Sequence, residues 1–127
     1  MGKHTTRRRA AWGRGRRAER LAAWWLRLKG YRILAQDLRT PVGEIDLIAR
    51  RGAVLAIVEV KTRPDLSQAG YALSPRQQAR IQRAAAAFLQ REPALARLDL
   101  RFDVVLVAPG RLPRHLADAW RSGERRG

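Results

Sequence analysis

The segment GEIDLIARRGAVLAIVEVKTR, residues 43–63, carries groups able to do chemistry where apolar side chains would be expected. Asp46 interrupts one apolar run, and Glu59 and Lys61 interrupt the next. Side chains alternate along a strand, so Glu44, Asp46 and Ile48 share one face. Leu55, Ile57, Glu59, Lys61 and Arg63 likewise share a face of the following run. The loop between the runs decides whether the two sets meet. An even turn around Gly52 puts Asp46 on the face of Ile57 and Glu59, whereas an odd turn or a bulge sends them apart. Gly52 in a short hairpin favours the even case, so the acids are expected to converge.

Convergence is costly. Two ionised carboxylates about 5 Å apart repel by roughly 3 kcal/mol at an effective dielectric near 20, and partial burial pushes one of their pKa values upward. A divalent cation reverses the sign of that term. Carboxylate oxygens are the hard donors that Mg²⁺ and Mn²⁺ take, usually one or two of them with water completing the shell. Such an ion activates water and neutralises charge on a phosphate under attack. Lys61 would share the face of Glu59 and can orient that water or stabilise the developing charge. Only Lys3, Lys29 and Lys61 among the 27 basic residues are lysines, so a lysine at this position is informative. Taken alone, Glu59 and Lys61 also fit an ordinary exposed ion pair near a strand end.

The composition narrows the field. A length of 127 residues suits one domain. A net charge of +16 suits a polyanionic partner, nucleic acid first and an anionic membrane surface second. There is no cysteine, which excludes disulfides and thiolate chemistry. His4 and His115 fall in expected tails, far from any positioned serine, which argues against a nucleophilic triad and a zinc site. Neither a run long enough to span a membrane nor an apolar leader is present, so a cytoplasmic location without membrane contact is expected.

The elements that must position these residues follow from periodicity. Residues 1–16 read as a flexible basic arm, 17–110 as the folded domain and 111–127 as a basic tail with one helical turn near Leu116 to Trp120. In the arm, Gly13-x-Gly15-x-x-Ala18 lacks the preceding strand that a dinucleotide site needs. Ala18, Leu21, Trp25 and Leu28 form a stripe of a first helix over residues 17–29, with Trp24 and Trp25 expected at the core or its edge. Strands are predicted over residues 31–38, 44–49, 54–61 and 100–108. Ser74 and Pro75 open a second helix whose apolar face is Ile81, Ala84, Ala85, Phe88 and Leu89, and Pro93 ends it. That helix connects the third strand to the fourth and makes them parallel. The fold class is α/β, a mixed sheet flanked by helices.

GEIDLIA, a hairpin and VEVKTR, preceded by a helix with Glu19 and by GYRILAQDLR, together resemble the YraN family of small bacterial proteins. That family is assigned to the restriction-endonuclease-like, PD-(D/E)xK nuclease superfamily and is similar to archaeal Holliday-junction resolvases. The resemblance spans residues 12–108 and implies a restriction-endonuclease-like core with a mixed four- or five-stranded sheet. It implies that Asp46 is the first acid of the motif and that Glu59 and Lys61 are its Glu-x-Lys. It also implies that the Val60 carbonyl is a further metal ligand and Glu19 an upstream acid completing the site. Glu19 fits a helix-surface salt bridge equally well, and Glu44 fits a loop contact better than a ligand. Gln77 stands where the family often carries an auxiliary polar or basic residue. Arg101 and Asp103 read as a structural ion pair. The expected function is a Mg²⁺- or Mn²⁺-dependent endonuclease on DNA, branched or distorted structures included, with a homodimer compatible with the reading. Phosphate contacts are assigned to Arg14, Arg16, Arg17, Arg39, Arg63, Arg76 and Arg80, with Arg7, Arg8 and Arg9 of the arm. The alternative is a nucleic-acid-binding protein with a degenerate nuclease fold and no catalysis.

Overall fold

Hydrophobic alternation in three successive runs builds a meander, and one helical crossover extends it. The architecture comes from a computed structural model that describes the backbone of residues 2–66 and 73–121 and the side chains of residues 15–66 and 73–121. The order is α1 (Gly2–Leu28), β1 (Arg32–Thr40), β2 (Gly43–Arg51), β3 (Val54–Thr62), α2 (Pro75–Arg91), a 3₁₀ turn (Pro93–Leu95), β4 (Asp99–Val107) and β5 (Arg114–Trp120). The strands lie side by side in chain order in one five-stranded sheet. β1, β2 and β3 are antiparallel, β4 runs parallel to β3, and β5 returns antiparallel to β4. This mixed sheet between two helices is consistent with a restriction-endonuclease-like core. No helix among the described residues is long and apolar enough to cross a membrane.

The β2–β3 register pairs Leu47 with Val58, Ile48 with Ile57 and Arg51 with Val54, leaving Gly52 and Ala53 as a two-residue turn. Gly52 has φ +60, the left-handed conformation such turns require and glycine adopts without strain. The loop is therefore even. Leu47, Ala49, Ala56, Val58, Val105 and Val107 face α1, and Ile48, Leu55, Ile57 and Phe102 face α2. α2 begins as its sequence dictates. Ser74 Oγ accepts the Gln77 N–H at 3.1 Å, and Gln77 Oε1 accepts the Ser74 N–H at 3.0 Å, a reciprocal capping box with Pro75 in the first turn. Its buried residues are Ile81, Ala84 and Ala85, with Phe88 and Leu89 partly covered.

Three expectations are corrected. The first helix begins at Gly2, far ahead of Arg17, so the backbone of the expected arm is helical; its side chains up to residue 14 lie outside the described residues. The buried stripe of α1 is Ala18, Ala22, Ala23 and Leu26, while Leu28 is 63% and Trp24 45% exposed. The small alanines are the residues buried against the sheet, and the bulky side chains at 24 and 28 are left outside the contact. Finally, Arg114–Trp120 is the strand β5, with no helical turn. Trp120 packs its ring on Phe102 at a centroid separation of 4.2 Å, which ties the segment to the core.

β5 also brings His115 out of the expected tail and into a buried polar network. Asp103 is 1% exposed and accepts from Arg101 Nε at 2.9 Å and Nη2 at 2.7 Å, from His115 Nε2 at 2.7 Å and from the Asp118 N–H at 2.9 Å. Arg101 reaches on to the Tyr31 hydroxyl. The ion pair expected between Arg101 and Asp103 is thus present, with further partners on β5 and at Tyr31, just before β1. Burial by itself would raise the Asp103 pKa; the hydrogen bonds from His115, Arg101 and the Asp118 amide outweigh it and hold the carboxyl at about 2.

A depressed native pKa contributes stability that is complete above the ordinary carboxylate value and lost as pH falls through about 2. Asp103→Asn should therefore lower stability at neutral pH by about 2–4 kcal/mol, because Arg101 keeps a poorly compensated charge. It should also flatten the loss of stability of the wild type between about pH 4 and pH 2; urea melts across that range check both. Gly43 opens β2 against α2, where a Cβ would stand 2.9 Å from Arg80 Cγ and 3.3 Å from the Arg80 carbonyl oxygen. Gly43→Ala should cost about 1–3 kcal/mol by overpacking, measured by the same melts.

Candidate active site

The acids of the sequence meet at the end of the β2–β3 ladder. Continuing the register one step past Leu47 and Val58 brings Asp46 opposite Glu59. Asp46 Oδ2 accepts the Val60 N–H at 2.8 Å, so a side chain takes the place of a backbone acceptor. Residues of an extended strand present N–H and C=O to the same side, so the Val60 carbonyl faces β2 as well. Asp46 and Glu59 are partly buried and hydrogen-bonded through their side chains. Two carboxyl groups can share a hydrogen bond only if one keeps a proton. The pair therefore holds a proton: burial, the hydrogen bond to Asp46 and the charge of Asp46 push the Glu59 carboxyl up to about 9, with Lys61 opposing and Glu19 adding to the push.

Two more acids stand around the pair. Burial and then the charges of Asp46 and Asp37 raise the Glu19 carboxyl to about 7, with Arg16 opposing and Glu44 adding. Glu19 thus faces the acid corner from α1 and feels it more strongly than it feels Arg16. Asp37 lies on β1 between the pairs Gln36 with Leu47 and Leu38 with Ile45, which puts it in one cross-strand row with Asp46 and Glu59. The sequence reading passed over Asp37. Its signal was an acid inside a strand-like run, the feature that singled out Asp46. Its φ of +49 is unusual for a residue with a side chain, and such strain concentrates at functional sites. Five of the 11 acids of a +16 chain, Glu19, Asp37, Glu44, Asp46 and Glu59, act on this one corner.

A cleft of about 490 Å³ opens on the row from the α2 side, lined by Glu44, Asp46, Glu59, Gln77, Arg80 and Ile81 among others. Glu44 is exposed at its edge. Gln77 is at the cleft as expected, with its Oε1 committed to the helix cap. Lys61 stands two residues beyond Glu59, partly exposed. Of the expected phosphate-binding residues, Arg80 lines the cleft and Arg76 is exposed one turn earlier on α2. Arg39 is exposed on β1 with its Nη2 4.0 Å from Asp37. Arg63 Nη1 donates to the Thr62 carbonyl at the end of β3. Arg16 and Arg17 are exposed on α1, and the side chains of Arg14, Arg7, Arg8 and Arg9 lie outside the described residues.

The donor set fits a hard divalent ion. A carboxyl pair held against its own repulsion, with a backbone carbonyl on the same side, offers oxygens that a proton or a cation can bridge. Among the described residues no three acidic or histidine side chains are grouped closely enough to enclose an ion together. The nucleus is therefore the pair Asp46 and Glu59, with Glu19 and Asp37 shaping its field.

A profile of the uncharacterised protein family UPF0102 matches residues 18–107, from the buried face of α1 to the end of β4. A UPF0102 protein of Parvibaculum lavamentivorans is 62% identical over 112 residues, 88% of this chain and 84% of its own length. One from Paramagnetospirillum magneticum is 60% identical over 116 residues, covering 88% and 90%. One from Caulobacter vibrioides is 54% identical over 106 residues, covering 84% and 85%. With α2, the buried end of α1 and all the strands that carry the acid row inside the matched region, the chain belongs to the uncharacterised family UPF0102, the YraN family.

Proposed function

We propose that this protein is a metal-dependent endonuclease that hydrolyses phosphodiester bonds in DNA. The observation that carries the reading is the partly buried, hydrogen-bonded pair of Asp46 and Glu59 beside Lys61, set in a cleft with Arg80 on its wall. Asp46 and Glu59 would hold Mg²⁺ or Mn²⁺, with the Val60 carbonyl as a further oxygen donor and Glu19 acting on the pair through its charge, and the bound ion would supply an activated water and charge neutralisation at the phosphate. The Lys61 ammonium would orient the attacking water and stabilise charge on the phosphate oxygens. Arg80, Arg76, Arg39 and Arg63, with Arg16 and Arg17 on α1, fit phosphate contacts, which position a backbone without reading sequence. DNA with branched or distorted structure is the proposed substrate, and a pair of subunits would serve a cut in both strands.

A second reading, a binding protein without catalysis, is favoured by the absence of a three-ligand group among the described residues. Mn²⁺ titration separates the two. The enzyme binds the ion through Asp46 and Glu59 and loses it in Asp46→Ala, whereas a pure binder shows no such site.

Cleavage of linear, flapped and four-way DNA in Mg²⁺ or Mn²⁺ should be abolished by Asp46→Ala. Lys61→Ala should keep DNA affinity and lose about 100-fold or more in single-turnover rate; full cleavage by the purified variant refutes the role given to Lys61. The same site should weaken the fold. A carboxyl whose native pKa is raised binds a proton the unfolded chain has released, so stability falls as pH rises from about 4.5 towards 9. Glu59→Gln keeps a donor for Asp46 without the titration. It should be more stable than the wild type at pH 8, on the order of 1–3 kcal/mol, in thermal melts without metal.

A further inference from the structure

An apolar groove of about 610 Å³ lies between α1 and the turn that joins β4 to β5. Leu21 of α1 and Pro109 and Leu112 of the turn supply its apolar lining, with Thr62 at the end of β3. Leu112 is 62% exposed and makes no contribution to the core. Among the described residues the charged ones lining the groove are Arg17 and Arg111, with no acid. A groove that is apolar within and wholly basic at its charged positions fits a ligand with a flat apolar body and negative charge along its margin.

The groove also adjoins the acid row. Val60 donates to Asp46, and Thr62 lies two residues further along β3, about 7 Å at the usual rise of a strand. α1 connects the two places from above: Glu19 senses Asp46, and the neighbouring Ala18 lines the groove with Arg17 and Leu21. The cleft opens on the α2 side of the sheet and the groove on the α1 side, and the end of β3 contributes to both, Glu59 to the cleft and Thr62 to the groove. A polymer passing over that end would set a phosphate at the acids and its next unit in the groove. A base held through its faces by such a groove is out of the stack and unpaired.

We propose that the groove takes an unpaired nucleobase next to the phosphate held at Asp46 and Glu59, so that the preferred substrate carries single-stranded nucleotides at the cut. The proposal deepens the nuclease reading and rests on it for the position of that phosphate. Apolar side chains hold an extruded or single-stranded base through its faces, and Arg17 and Arg111 meet the phosphates on either side of it. Affinity would then have a part that depends on bases and a part that depends on charge.

The test is binding of the full-length protein, in EDTA, to three fluorescein-labelled DNAs: a short single strand, the same strand with abasic positions, and the duplex. The wild type should bind the intact strand about fivefold or more tighter than the abasic one. Leu112→Ser should reduce that preference to near unity while the two proteins bind the abasic strand alike, and melting temperature should not change at so exposed a position. Equal binding of intact and abasic strands by the wild type overturns the proposal, as does a Leu112→Ser variant that weakens all three DNAs equally. Sedimentation showing a wild-type dimer that Leu112→Ser dissociates also overturns it, since a second copy would then fill the groove. Failure of the nuclease reading is separable: base preference in EDTA without any Mn²⁺-dependent cleavage leaves the groove standing, and cleavage lost in Asp46→Ala without base preference leaves the nuclease alone.

Discussion

The site is organised by the hydrogen bond from the Val60 N–H to Asp46 Oδ2. In an uninterrupted antiparallel ladder a backbone carbonyl would accept from that amide. Here a carboxylate does, which fixes the Asp46 side chain and leaves the backbone of β2 unzipped from β3 at that point. The acid is held by the sheet itself, so its position does not depend on a flexible side chain finding a partner. Glu59, one residue away on β3, is then obliged to face it. Sharing a proton relieves the repulsion between the two, and they are kept together because the strands that carry them are zipped, Leu47–Arg51 against Val54–Val58, and buried on both faces.

That arrangement runs against the charge of the chain. A protein with 27 basic residues could have surrounded each acid with arginine, and it does so at Asp103, where Arg101 and His115 converge on a fully covered carboxylate. The two buried acidic centres are opposites. At Asp103 the partners hold the carboxyl well below its ordinary range; in the Asp46 row, acids face acids and Glu59 and Glu19 are pushed upward. One centre stabilises the fold, and the other draws on stability that the fold supplies. Such a division is what a site selected for function on a scaffold selected for rigidity looks like.

Much of this was legible in the sequence because strand period and hairpin parity are arithmetic. Gly52 beside two apolar runs fixed an even turn, and with it the meeting of Asp46 and Glu59. Ser74 and Pro75 marked the start of α2 through chemistry local to four residues. What local pattern could not give came from tertiary contacts. The face of α1 was misjudged because the sheet accepts alanines and leaves Trp24 and Leu28 outside, a choice made by packing distance. β5 was hidden because its residues, RHLADAW, alternate weakly and owe their strand to Phe102 and Asp103 on β4. Asp37 was passed over because its place in the row depends on a bulge between Ile33 and Ala35 that shifts the β1 register.

The tip at Gly52 and Ala53 has a consequence for how this chain can change over generations. Surface turns are ordinarily where proteins absorb insertions and deletions most cheaply. In this turn a single added or deleted codon would exchange the α1 face for the α2 face along the whole of β3, presenting Glu59 and Lys61 to α1 and Val58 to α2. Composition would be nearly untouched and the site would be gone. Length variation at this tip is therefore open to selection only in steps of two, which makes an exposed corner of the sheet one of its least negotiable.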